Sequence, residues 1–226
     1  EAITRARTVG LDAADVDEAR ARYLGEVAYV DAEFGRLLAA FNRDRPLWVV
    51  VFGDPGEPLG DAPLNAFGHG GDVDLWAARV PLVVVGPGVS PGLVVSRQVR
   101  LKDIATTLLG ETLGSGQSLF ADTPAPSFIE ASQPEDQASA DHWPNLPFER
   151  AVYLDHLQLQ RFPLTSRPQT LFSVAGGEQR PLSSHPREAE LGALLDTWDS
   201  EAPTVATPAA DPAVTEALEA LGYTAP

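Results

Sequence analysis

The chain has 226 residues, 44% of them hydrophobic, and a net charge of −16 from 32 acidic against 16 basic residues. That length and apolar content argue against wholesale disorder and allow a sizeable core, while the acidic balance argues against nucleic acid as a partner, since phosphate binding needs clustered Lys and Arg. Cysteine is absent, which excludes disulfides, thiolate metal sites and a Cys nucleophile within these residues, and no apolar run approaches the roughly 18 residues that would span a bilayer.

The first predicted element is a helix over about 15–42. Val16, Ala19, Tyr23, Val27, Val30, Phe34, Leu37 and Phe41 recur at three- and four-residue steps and form one apolar stripe. Asp12 or Asp15 caps its start. Residues 47–52, Leu-Trp-Val-Val-Val-Phe, form a short, uniformly apolar run between Pro46 and Gly53. Such a run suits a strand buried on both faces of a parallel sheet. Residues 80–85 are a second run of this kind, ended by Gly86-Pro87-Gly88. A glycine- and proline-rich loop joins the two, and the first helix is expected to pack on a face of their sheet. Residues 99–109 read as a helix. The stretch 115–147 is polar and proline-rich, a loop or linker. Strands are expected at 151–159 and 170–174, then a helix at 188–198. An Ala/Pro/Thr linker follows from 202, and a short helix at 212–221 closes the chain.

This order is α/β. The expected architecture is a partial mixed or parallel sheet flanked by helices over 1–120. A linker (121–147), a small α+β C-terminal subdomain (148–201), and a linker with a terminal helix (202–226) follow.

In open parallel sheets, ligands bind beyond the carboxyl ends of the strands. Asp54 lies at such an end, on a glycine-flanked turn, and a carboxylate there is a suitable ligand for a hard cation. The segment Val49-Val50-Val51-Phe52-Gly53-Asp54-Pro55-Gly56-Glu57-Pro58-Leu59-Gly60 resembles an apolar strand followed by Thr-Ser-Asp-His-Gly-Glu-x-Leu-Gly. Phe67-Gly68-His69-Gly70 resembles a downstream Phe-x-His-Gly. Arg79-Val80-Pro81-Leu82 with Gly86-Pro87-Gly88, Val99-Arg100-Leu101-Lys102-Asp103-Ile104, Gly116-Gln117-Ser118-Leu119 and Leu218-Glu219-Ala220-Leu221-Gly222-Tyr223 follow in the same order. Together these motifs resemble the sulfatase family of the alkaline phosphatase superfamily. They match the C-terminal half of its catalytic domain plus its C-terminal subdomain, from about Tyr23 to Tyr223.

The resemblance implies roles residue by residue. Asp54 matches a carboxylate that binds a divalent cation, usually calcium, with magnesium as the alternative. Pro55 stands where the family has a second ligand, and its side chain offers no lone pair, so the cation site is weakened or lost. His69 matches the histidine that contacts the sulfate, where it could bind the anionic ester or protonate a leaving group. Glu57 matches a glutamate read here as fixing the loop. His142, His156 and His185 fall outside the motif.

The family's nucleophile, a Cys or Ser in Cys/Ser-x-Pro-x-Arg, and its first pair of metal aspartates have no counterpart in this sequence. They point to an upstream N-terminal half as a partner. Glu1, in a chain without Met, reads as an interior residue or a processed start. The implied function is metal-assisted hydrolysis of sulfate esters, or of phosphate esters, by an incomplete or degenerate chain that is inactive alone. The alternative is a non-catalytic sulfatase-like module that binds an anion, a glycan or a partner chain. Pro55, Gly53 in place of the family's Ser and Thr106 in place of its Pro favour that alternative. The resemblance also implies a periplasmic or extracellular location.

Overall fold

The computed structural model describes residues 12–41, 44–60, 67, 72–110, 116–131, 149–163 and 165–201. The helix expected at 212–221 lies outside them. Helix α1 spans Ala13–Ala40, and Asp12 caps it by accepting the Asp15 N–H at 2.9 Å. Strand β1 (Val49–Phe52), helix α2 (Leu75–Ala78), strand β2 (Leu82–Val85) and helix α3 (Asp103–Leu109) follow. Five strands come next: β3 (Ser127–Ala131), β4 (Glu149–Leu154), β5 (Leu157–Arg161), β6 (Thr170–Ser173) and β7 (Arg180–Leu182). Helix α4 (Glu188–Glu201) is the last described element.

The molecule is α/β, but its sheets are not parallel. Strands β1 and β2 form a two-stranded antiparallel pair, Val49 opposite Val85 and Phe52 opposite Leu82. The reading of two strands covered on both faces is corrected here: Val51, Phe52, Val83 and Val85 are exposed. An apolar run shows that both faces of a strand can be buried and does not supply the cover. The expected packing of α1 across this sheet is corrected too. Only Val16 of α1 is buried, while Tyr23, Leu24, Val27, Val30 and Leu37 are exposed. The helix is anchored through its first turns instead. Arg20 Nε donates to the Leu59 carbonyl at 2.5 Å. Gly60, with φ +75°, lies where a Cβ would meet Val16 Cγ1 at 2.6 Å. Among the described residues no helix is long and apolar enough to cross a membrane.

The larger core belongs to the C-terminal part. Strands β3 to β7 form an antiparallel sheet in sequence order. Strand β3 falls inside the stretch read as a linker. The segment read as one strand, 151–159, is a hairpin, with Leu154 paired to Leu157 and Asp155 at φ 56° in the turn. Aspartate tolerates that left-handed conformation better than most residues. Period-two alternation then sorts the side chains. Val152, Leu154, Leu157, Leu159 and Leu171 pack with Leu191 and Leu195 of α4. Ala151 and Tyr153 face the other way and pack with Val73, Leu75 and Ala78. The segment 73–78 therefore covers the second face of the sheet.

Candidate functional site

The loop after β1 is built on close backbone approaches. The Gly53 N–H donates to the Pro81 carbonyl at 3.2 Å, and the Gly56 N–H donates to the Ala77 carbonyl at 3.1 Å. A Cβ at Gly56 would overlap the Trp76 carbonyl oxygen, so the glycine of the Asp-Pro-Gly-Glu stretch is a steric requirement. Gly86 plays the same part at the end of β2, where a Cβ would enter the Trp48 indole.

Asp54 sits at the carboxyl end of β1, exposed, on the turn between those two backbone ties. Its bond to Pro55 is cis. Glu57 is half-buried. Leu59 pairs in an isolated antiparallel bridge with Phe67, two positions before His69. His69 itself lies outside the described residues, as does His142, so the juxtaposition of Asp54 and His69 is not described. His156 is exposed in the β4–β5 turn, and His185 accepts the Arg187 N–H through Nδ1 at 3.1 Å. Both hold turns.

The fit of a cation can be tested on the donors present. Among the described residues no group of three or more His, Asp or Glu side chains could hold a metal ion. Asp54 offers one carboxylate, and Pro55 offers no side-chain oxygen. A calcium ion takes six to eight oxygens. The described residues therefore do not make a calcium cage by themselves.

The motif around Asp103 proves structural. Asp103 is 1% exposed. Arg100 Nε reaches its two carboxylate oxygens at 3.2 and 3.1 Å, and Arg100 Nη2 reaches Oδ1 at 2.6 Å. The Gln117 N–H donates to Oδ1 at 3.0 Å, and a Cβ at Gly116 would meet that oxygen at 2.6 Å. Thr106 Oγ1 accepts the Gly116 N–H, and Thr107 Oγ1 accepts the Leu119 N–H. Burial pushes the Asp103 carboxyl up, but the Arg100 hydrogen bonds, the Gln117 N–H and the Arg100 charge together hold it below the ordinary 3.8. The Leu-x-Asp-Ile and Gly-x-Ser-Leu motifs thus lock α3 to the chain that follows it.

A cluster that the sequence did not single out lies where the five-stranded sheet meets 72–75. The Val73 carbonyl accepts from the Tyr153 hydroxyl at 2.7 Å and from Gln158 Nε2 at 2.8 Å. The Glu149 carboxylate lies beside the Val73 N–H. Asp74 Oδ1 accepts from Gln160 Nε2 at 2.5 Å and from Gln179 Nε2 at 2.6 Å. Along Leu157-Gln158-Leu159-Gln160 the side chains alternate, and Gln158 and Gln160 are buried as well as the leucines because the second face is covered.

Comparison with known proteins agrees with the motif order. The model of the sulfatase family matches residues 3–115. A choline-sulfatase of Rhizobium meliloti (strain 1021) is 28% identical over 214 residues, covering 83% of this chain and 39% of the relative. The chain thus spans 39% of the length of that curated relative. No solved structure matches it.

Proposed function

Because the chain belongs to the sulfatase family, we propose that it serves a hydrolase of sulfate esters as the C-terminal half of the catalytic domain with its C-terminal subdomain. The observation that carries this reading is Asp54 at the exposed carboxyl end of β1, on a turn where Gly56 admits no side chain and Gly53 leaves little room for one. In the proposed assembly Asp54 supplies one carboxylate to a divalent cation, calcium or magnesium, and Pro55 supplies none. His69 donates a hydrogen bond to the sulfate ester or a proton to its leaving oxygen. The nucleophile and the remaining carboxylates come from an upstream N-terminal half, because this sequence holds no cysteine and no serine in the required motif.

The relative's name makes a small zwitterionic sulfate ester, choline sulfate, the first substrate to try beside an aryl sulfate. The test is sulfate release by a polypeptide that carries the upstream family region, compared with its Asp54→Ala and His69→Ala variants. Loss of turnover in both supports the assignment. Full turnover in Asp54→Ala removes Asp54 from the site.

A second reading rests on Pro55 and on the lack of a three-donor cluster among the described residues: a degenerate module that binds an anion, a glycan or a partner chain without turnover. A polypeptide with the upstream region that still binds sulfate esters but never releases sulfate would establish it.

A further inference from the structure

The five-stranded sheet grips the Val73 peptide through its carbonyl, which accepts from Tyr153 of β4 and Gln158 of β5, and sets the Glu149 carboxylate of β4 beside its N–H. Asp72 and Asp74 flank that peptide. Asp72 accepts the Asp74 N–H at 3.0 Å and Trp76 Nε1 at 3.3 Å, while Asp74 is held by Gln160 and Gln179. Three carboxylates therefore converge on one buried peptide. The cation facing them is Arg167, 3.9 Å from Glu149 and itself 58% exposed, with its guanidinium over the Phe162 ring. Arg79 lies against Gly177 at the margin of the joint. Arg150 and Arg161 pair instead with Glu130, Asp196 and Asp199, on the side of the sheet that packs α4.

We propose that this joint is a pH-sensitive latch between the five-stranded sheet and the segment 72–78, tightest in mildly acidic solution and loosened as Glu149 and Asp72 become charged within it. Protonation of Glu149 or Asp72 removes like-charge repulsion without removing the joint's hydrogen bonds, since a neutral carboxyl keeps a carbonyl oxygen that accepts an N–H.

The titration has the matching sign. Burial, then repulsion from Asp74 and Asp72, raises Glu149 above its ordinary 4.5, against the opposing pull of Arg167 and the Val73 N–H. Burial first, with repulsion from Asp74, raises Asp72 above 3.8, against the hydrogen bonds from Asp74 and Trp76. The folded joint then binds more protons than the unfolded chain. Its stability is fully present below 3.8 and 4.5 and is lost as pH rises through the raised folded values. Asp103 moves the other way, and its loss lies below this window.

The experiment is amide hydrogen exchange on the 226-residue chain at about pH 4.5 and about pH 7.5, corrected for intrinsic rates. Helix α4 serves as the internal reference. Protection of 73–79 relative to α4 is expected to fall severalfold at the higher pH. Glu149→Gln keeps an acceptor for the Val73 N–H and should shrink the fall, and adding Asp72→Asn should abolish it. Protection that is flat or rises with pH, or a fall of the same size in Glu149→Gln, overturns the latch. The single variant Glu149→Gln is enough to separate these outcomes, so the proposal stays testable if the double variant does not fold.

Discussion

Arg100 grips both carboxylate oxygens of Asp103, three residues along the chain, with side-chain exposures of 12% and 1%. Removing one partner leaves the other buried and charged. Asp103→Ala should therefore cost about 3–5 kcal/mol in urea unfolding, and Asp103→Asn should cost less because it still accepts the Gln117 N–H. Since the folded carboxyl lies below its ordinary value, the pair adds stability above 3.8 and loses it as pH falls through the lower folded value. An Asp103→Ala midpoint equal to wild type would remove this lock.

The Tyr153 hydroxyl donates to the Val73 carbonyl and accepts from Gln158 Nε2 at 2.7 Å. Burial, with Asp74 and Asp72 adding to it, pushes the phenol well above its usual range, so it remains a neutral donor. Tyr153→Phe should destabilise by about 0.5–2 kcal/mol, with an unchanged urea slope. A change in slope would instead mean that the sheet and the 72–78 segment had parted.

Much of this molecule could be read from the chain order of its side chains. Helix α1, strands β1 and β2 and helix α4 appear where apolar patterning puts them, because those signals are local, whereas helix α3 begins only at Asp103, although the pattern predicts helix from 99. Pairing is not local. Apolar runs at 47–52 and 80–85 fit a parallel sheet equally well, and only the return path of the loop makes them antiparallel. Strand β3 was hidden because its five residues follow Pro124 and Pro126 and carry only Phe128 and Ile129 as strand formers. The buried glutamines were hidden for a different reason. A half-buried strand and one whose polar face meets a partner show the same alternation. Of the candidate site, Asp54 is described as exposed on its turn, and His69 lies outside the described residues.

Two glycines give opposite expectations. Gly56→Ala drives a methyl into the Trp76 carbonyl and should cost about 1–3 kcal/mol. Gly192→Ala, in α4 with nothing within 4 Å of the added carbon, should stabilise by about 0.5–1 kcal/mol. Thermal unfolding of both variants checks the pair. A neutral Gly56→Ala would mean that the loop bearing Asp54 is not held against Trp76.

The most direct test of the proposed division of labour is an assay of the 226-residue chain by itself. The purified chain, with and without calcium or magnesium, is offered a chromogenic aryl sulfate and choline sulfate. The account predicts no sulfate release above background, since the sequence holds no Cys or suitably placed Ser to act as nucleophile and no three-donor cluster accompanies Asp54 among the described residues. It also predicts that Pro55→His restores nothing. Turnover that persists through purification and vanishes in Asp54→Ala would contradict it, and would place a complete catalytic centre within this chain.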